Sequence, residues 1–154
     1  MRRRRTGTQP RKTPRKRVLG RYKSSLEKYC ADMLVMNNIS FMYEEIDYTL
    51  QDSFVYNGVY MKMTKQSKEL SDRTNKVVLR IGYTPDFVGK DHNFIIETKG
   101  FTPSQHTFPL RWKMFLKMLH EKGGQMPALF MPKNKQQVDE TIEEILRLIK
   151  DGKI

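Results

Sequence analysis

Two carboxylates and a lysine stand close together in residues 83–100. Asp86 follows Pro85, ten residues separate Asp86 from Glu97, and Lys99 comes two positions after Glu97. Side chains two positions apart on a strand share a face, so Glu97 and Lys99 are expected to point the same way. Two carboxylates and an ammonium group on one surface suit a divalent metal ion and an activated water molecule. The spacing therefore favours metal-assisted hydrolysis.

The residues around the two carboxylates predict a β-hairpin. Apolar residues within 81–88 and 94–96 predict two strands, and residues 89–93 (GKDHN) are typical of a turn. A hairpin folded there would bring Asp86 and Glu97 side by side at one end of a sheet, with the lysine beside them. The alternative is an ordinary surface hairpin that carries a Glu and a Lys on its solvent-exposed face.

The stretch YTPDFVGKDHNFIIETKG, residues 83–100, resembles a known family. It is similar to the PD-(D/E)XK phosphodiesterases and, within them, to the phage endonuclease I type, which are Holliday-junction resolvases. The resemblance extends more loosely to residues 24–27 (SSLE) and 41–45 (FMYEE), and into the helix predicted after Gly100. It implies an α/β fold with a restriction-endonuclease-like core, in which a mixed central sheet is flanked by helices.

The resemblance also implies roles for individual residues. The catalytic set would be Glu27, Asp86, Glu97 and Lys99, with Lys99 orienting the water or stabilising the charged transition state. The metal ligands would be Asp86, Glu97, the backbone carbonyl of Thr98 and, for a second position, Glu27. One or two Mg²⁺ ions are expected, with Mn²⁺ as a substitute and no small-molecule cofactor.

Glu27 has two interpretations. A helix is predicted over residues 25–38, and Ser24 with Glu27 has the Ser-x-x-Glu spacing of a capping box. A carboxylate bonded to the N-cap amide is less free to bind a cation, so the capping role and the metal-binding role partly exclude each other. Glu44 and Glu45 match the family's first strand; Glu44 is expected to support the site and Glu45 to be solvated.

Charge divides the chain into a basic arm and a nearly neutral body. Residues 1–23 hold eleven Lys or Arg and no acid, whereas residues 24–154 hold 18 basic and 17 acidic side chains. A disordered arm that contacts the DNA backbone is predicted for residues 1–23; the alternative is a solubility or localisation tail. Lys113 and Lys117, on a helix predicted over residues 110–122, are also expected to contact DNA phosphates; the alternative is that they lie on an ordinary solvated helix surface. The predicted DNA-binding residues are Arg11, Lys12, Arg15, Lys16, Arg17, Arg21, Lys23, Arg111, Lys113 and Lys117.

Residues 24–154 are predicted to form a single nuclease domain. A strand is expected over residues 40–50, and residues 51–76 form an insertion relative to the family. In it, Asn57-Gly58 predicts a tight hairpin. Further along, apolar spacing predicts helices over 110–122 and 138–150, with Trp112 packed on the sheet, and a strand over 127–131.

Several protein classes are disfavoured. The chain has one cysteine and three scattered histidines, which exclude an internal disulfide and give no zinc-binding spacing. No apolar run reaches membrane-spanning length, and the basic arm lacks the apolar stretch of a signal peptide. A cytoplasmic location is expected, the host cytoplasm if the protein is encoded by a virus or phage.

These observations predict a Mg²⁺-dependent DNA endonuclease. A resolvase of branched DNA is the first choice, and because such an enzyme cuts two strands, a homodimer is implied. One alternative is a site-specific or homing-type endonuclease of the same fold. The other is a non-catalytic, basic nucleic-acid-binding protein, although a pure binder gains nothing from carboxylates that face a phosphate.

Overall fold

A computed structural model describes residues 20–63, 68–99 and 107–154. Residues 1–19, which include most of the predicted basic arm, lie outside the described part of the chain. The helices and strands that the described residues form are, in order, α1 (Ser25–Met36), β1 (Phe41–Tyr43), β2 (Tyr48–Gln51), β3 (Phe54–Val55), β4 (Met61–Met63), β5 (Leu70–Asp72), β6 (Val77–Val78), β7 (Ile81–Tyr83), β8 (Phe87–Gly89), β9 (Phe94–Ile96), α2 (Phe108–Lys122), β10 (Ala128–Phe130) and α3 (Lys135–Lys150).

A four-stranded sheet with the order β1-β8-β9-β10 lies at the centre. β8 is antiparallel to both β1 and β9, whereas β10 runs parallel to β9. The fold is therefore mixed α/β, as the sequence predicts at this coarse level. The hairpin expected around residues 89–93 is also confirmed, because Phe87 faces Ile96 and Val88 faces Ile95 across β8 and β9.

Helices cover both faces of this sheet. Successive side chains of a strand point to opposite faces, so Phe87 and Ile96 pack with α1 and α3, whereas Val88 and Ile95 pack with Phe115 of α2. The first of these two cores includes Cys30 of α1. The β8–β9 hairpin is thus buried on both faces, which leaves its ends as the places where its polar residues can meet solvent.

The helix boundaries follow local chemistry more closely than apolar spacing. The Ser24 Oγ atom accepts a hydrogen bond from the backbone N–H of Glu27 (3.1 Å), so Ser24 caps α1 as predicted. The helix ends at Met36, two residues before the predicted end, and Asn37 is its C-cap. α2 begins two residues before the predicted start and includes Pro109 in its first turn, where the missing N–H is tolerated. α3 begins three residues early because the Asn134 side chain caps it.

The prediction of one strand over residues 40–50 is wrong. β1 joins the central sheet, and β2 pairs with β7 in a separate ladder. Glu44 lies between them with φ of 49°, a left-handed backbone conformation that interrupts a strand. The alternation of apolar residues runs across this break, so the pattern gave no sign of it.

The tight hairpin predicted at Asn57-Gly58 is also wrong. β3 pairs with β6 and β4 pairs with β5, so the chain travels outward through β2, β3 and β4 and returns through β5, β6 and β7. A Cβ atom at Gly58 would come within 2.8 Å of the exposed Tyr56 ring, which would have to move aside. The chain needs no tight turn at this point.

These three ladders continue one another in a single antiparallel ribbon. Phe54 faces Val78 and Met61 faces Asp72, so the opposed pairs advance in step along the ribbon. The backbone N–H of Arg73 donates to the carbonyl of Tyr60 (2.7 Å), which continues the ladder between β3 and β4. We call its outer part, residues 52–63 and 68–79, the β-arm.

Within the described residues, no helix is both long and apolar enough to cross a membrane.

Candidate active site

The end of the β8–β9 hairpin brings the predicted acidic residues together. Because Phe87 faces Ile96, the next opposed pair outward is Asp86 and Glu97. The Oδ2 atom of Asp86 accepts hydrogen bonds from the backbone N–H (2.7 Å) and the hydroxyl (2.6 Å) of Thr98. The expected proximity of the two carboxylates is confirmed, and the catalytic roles stay predictions.

Both carboxylate oxygens of Glu97 are held in place. The side chain of Glu97 is buried, and its Oε2 atom accepts a hydrogen bond from the hydroxyl of Tyr83 at 2.7 Å. The ammonium of Lys99 donates to Oε1 at 2.6 Å, so the two side chains do share a face. The same ammonium lies 3.6 Å from the centre of the Phe108 ring, a favourable position for a cation.

The surroundings of Asp86 disfavour its negative charge. Burial, followed by the charge of Glu97, raises the pKa of Asp86 to about 7, while the two hydrogen bonds from Thr98 act in the opposite direction. Burial and the Glu97 carboxylate also raise the pKa of Tyr83, which keeps its phenol protonated and able to donate. The pair of carboxylates is therefore a site where a bound cation would relieve repulsion.

Glu27 is held by a different set of bonds from the one predicted. Its carboxylate does not bond the N-cap amide of Ser24; instead, Oε2 accepts from the hydroxyl of Tyr43 (2.6 Å) and from the backbone N–H of Lys23 (2.8 Å). The carboxylate half of the capping-box interpretation is thus wrong. The charge of Glu27 still contributes to the raised pKa of Asp86, so the two carboxylates influence each other electrostatically.

These contacts sharpen a test of Glu27. In Glu27→Gln, the amide oxygen can still accept from Lys23 and Tyr43, so we expect a melting temperature close to that of the wild type. If the Glu27 carboxylate holds a second metal ion, cleavage should be nearly abolished, because an amide does not supply the charge that the ion requires. Glu45→Gln, at an exposed position, is the control. A fully active, stable Glu27→Gln protein would refute the catalytic assignment.

Two of the predicted DNA-binding residues lie beside this cluster. The Arg21 guanidinium lies 5.7 Å from the centre of the Tyr43 ring, and the exposed Lys23 ammonium pairs with Glu44. The hydrogen bond to Glu44 is the main reason why the pKa of Lys23 is raised. The Glu44 backbone N–H donates to the Asp86 carbonyl at 3.0 Å, which places Glu44 next to the site, as predicted. Residues 11–17 lie outside the described part of the chain.

The three predicted DNA-binding residues of α2 are exposed. Arg111, Lys113 and Lys117 all face solvent, and the Lys117 ammonium lies 3.5 Å from a carboxylate oxygen of Glu121. Trp112 instead packs into the core formed by α2 and the sheet, as predicted. Phe108 in the first turn of α2 contacts Lys99, so the helix that carries these basic side chains begins beside the carboxylate cluster.

Three aromatic residues of the site were not identified from the sequence. Tyr43 and Tyr83 donate to the carboxylates of Glu27 and Glu97, which are 16 and 14 residues away. Phe108 contributes its ring to Lys99. Tyr83 stands three residues before Asp86, but no local sequence pattern indicates that its hydroxyl bonds to Glu97, 14 residues away.

The donors at this site are two carboxylates rather than a larger cluster. Within residues 20–63, 68–99 and 107–154, no group of three His, Cys, Asp or Glu side chains is arranged to hold a metal ion. Asp86 and Glu97 are oxygen donors of the kind that Mg²⁺ prefers, together with backbone carbonyls and water.

Comparisons with protein-family models, curated proteins and solved structures found no match to the chain. Function must therefore be argued from these residues themselves.

Proposed function

We propose that this chain is a Mg²⁺-dependent DNA endonuclease of the PD-(D/E)XK type. One observation carries the proposal: Asp86 and Glu97 meet at the open end of the central hairpin, and Lys99 donates to Glu97. A fold that places two mutually repelling carboxylates and a lysine at one point gains little stability from doing so. The arrangement has a function if the two carboxylates bind a divalent cation and the lysine contacts a phosphodiester.

The donor set fits a hard divalent cation. Asp86 binds Thr98 through Oδ2 only, so its Oδ1 atom takes part in neither of those bonds. Asp86, Glu97 and the carbonyl of Thr98 would hold a first Mg²⁺, and Glu27 would complete a second position. When bound, Mg²⁺ supplies Lewis-acid polarisation of the phosphoryl oxygens and lowers the pKa of a water molecule.

The remaining chemistry belongs to the side chains of the chain. Lys99 presents a positive charge whose position is fixed by Glu97 and by the Phe108 ring, so it can orient the attacking water or stabilise negative charge on the phosphate. Tyr83 fixes the Glu97 carboxylate through Oε2 and prevents it from rotating away. Pre-positioned charges of this kind act without reorganising during the reaction.

The surroundings favour a nuclease over a simple nucleic-acid binder. Exposed basic residues belong to two segments that contact the site: Arg21 and Lys23 precede α1, which carries Glu27, and Lys113 lies on α2, which begins at Phe108 beside Lys99. They would hold a phosphate backbone against two carboxylates that, without a metal, would repel it. A branched-DNA resolvase acting as a homodimer is the first choice of substrate and assembly, and a site-specific endonuclease is the second.

The decisive test is a cleavage assay with three DNA substrates. The protein is incubated with Mg²⁺ and, separately, with a four-way junction, a matched linear duplex and genomic DNA. Cleavage of the junction alone supports a resolvase, whereas discrete fragments of genomic DNA support a site-specific enzyme. Absence of cleavage of all three substrates with both Mg²⁺ and Mn²⁺ would contradict the nuclease proposal.

The basic arm should act through phosphates and not through the active site. Deleting residues 1–17 removes nine of its eleven positive charges. DNA affinity should fall and its salt dependence should flatten, by about 0.9 in the log-log slope for each phosphate that the protein no longer neutralises. Cleavage at low salt should persist, since Asp86, Glu97 and Lys99 lie downstream.

Competition between a junction and a linear duplex across a salt series checks this expectation. Intact and truncated proteins should keep the same preference for the junction. If truncation removes that preference but leaves the duplex affinity and the salt slope unchanged, the arm reads DNA structure and is not a nonspecific phosphate clamp.

A further inference from the structure

The β-arm carries an unusual amount of exposed apolar surface. Of the 17 large apolar side chains that are exposed among the described residues, ten belong to the β-arm. Val59 and Leu79 are the most open, at 84% and 78% exposure. Such an accumulation on one element is typical of an interaction surface, because monomeric proteins seldom expose contiguous apolar patches of more than a few hundred Å².

The β-arm also has open strand edges among the described residues. Each of its ladders, β3 with β6 and β4 with β5, has two strands there, so one edge of each strand has no sheet partner within the described part of the chain. Isolated two-stranded ribbons are only marginally stable in water. Neither of the two described hydrophobic cores includes a residue of the β-arm. The β-arm therefore has both apolar side chains and strand edges available for a partner.

The charge of the β-arm does not favour nucleic acid as that partner. Its described residues carry four basic and three acidic side chains, whereas residues 1–23 carry eleven basic and none acidic. Most of its exposed apolar residues are aliphatic or thioether side chains, including Val59, Met63 and Leu70, which offer no ring for base stacking. A protein surface of similar apolar character suits it better than a phosphate backbone.

We propose that the β-arm is the surface through which two copies of this chain associate. A second copy presents the same apolar side chains and the same open strand edges, so the two β-arms satisfy each other in an isologous contact. Exposed side chains of these sizes sum to roughly 1,000 Å² on each copy when both faces of the ribbon are counted, so a contact that covers most of them reaches the roughly 800 Å² that one partner contributes to a standard interface. The proposal does not depend on nuclease activity.

Sedimentation equilibrium of the full chain tests the proposal directly. The wild type should be a dimer at roughly micromolar concentration, the range of a standard interface of moderate affinity. The double variant Val59→Glu/Leu79→Glu should dissociate, with a dimer dissociation constant raised at least about 100-fold, because it places uncompensated charges in the contact. Both positions are largely exposed in the single chain, so its thermal unfolding should be unchanged.

A matched control uses the same chemistry elsewhere. Met36 on α1 is 74% exposed and lies outside the β-arm, and Met36→Glu should leave the dimer intact. A monomeric wild type at high concentration would overturn the proposal. A dimer that withstands the Val59→Glu/Leu79→Glu substitutions would also overturn it. The same holds if this double variant of the β-arm loses DNA affinity with no change in its assembly. Because sedimentation needs no catalysis, an inactive but dimeric protein would contradict only the nuclease proposal.

Discussion

Asp86→Asn and Glu97→Gln should each reduce DNA cleavage by at least about 10³-fold, equivalent to roughly 4 kcal/mol of transition-state stabilisation. Each change keeps the size of the side chain and its capacity to accept hydrogen bonds from Thr98 or Tyr83, while removing the charge that a divalent cation requires. DNA affinity measured without metal should stay the same or rise, because a negative charge facing the phosphate is removed. Single-turnover cleavage and a fluorescence binding assay separate the two effects.

Two further variants complete this test. Lys99→Ala should also be nearly inactive, since it removes the charge that Glu97 and Phe108 position. Asp91→Asn changes an acid in the same hairpin, but Asp91 is exposed in the turn at the far end and this variant should cleave normally. Full activity in EDTA, or wild-type rates in Asp86→Asn, would rule out the metal mechanism.

Protein stability without metal should depend on pH through Asp86. The pKa of this side chain is about 7 in the fold, against 3.8 ordinarily, so the folded state keeps a proton that the unfolded state has released between these values. Its contribution is fully present below about pH 4 and is lost as the pH rises toward 7. At about 1.4 kcal/mol for each pKa unit, the loss amounts to a few kcal/mol. Asp86→Asn removes it, so the variant should be more stable than the wild type at pH 8 and similar at pH 4.

Mg²⁺ should reverse this loss, because a cation that binds the folded state alone stabilises it. The melting temperature of the wild type should rise with Mg²⁺ at pH 8 and much less at pH 5, where Asp86 is protonated. Thermal unfolding of the wild type and Asp86→Asn, with and without Mg²⁺, measures both effects, with Asp91→Asn as the control. An equal Mg²⁺-dependent rise in Asp86→Asn would show that the cation binds elsewhere.

The part of the site that the sequence predicts is the part set by local geometry. Strand alternation and turn residues were sufficient to place Asp86 beside Glu97 and to align Glu97 with Lys99, because every residue involved belongs to one hairpin. The phenols of Tyr43 and Tyr83 escaped prediction because their partners are far away in the chain. Which hydroxyl reaches which acid depends on how α1 and the strands pack, and that is not encoded in spacing.

The errors in the fold have a related cause. Apolar alternation over residues 40–50 reports which side chains are buried, but it does not report that Glu44 turns the chain out of the central sheet. Asn57-Gly58 has the composition of a tight turn, yet the ribbon continues past it because β4 pairs with β5 farther out. In both cases a local pattern was misleading, because the structure of the segment depends on which other strand it pairs with.

The burial of Cys30 gives the molecule an internal reporter of its own integrity. This residue, the sole cysteine of the chain, is fully buried on α1, and burial followed by the charge of Asp86 raises the pKa of its thiol to about 12. The thiolate is the reactive form, so an alkylating reagent can modify Cys30 only when α1 separates from the sheet that carries Asp86. The alkylation rate under native conditions therefore measures how often that wall of the site opens, and it distinguishes variants that have lost chemistry from variants that have lost their structure.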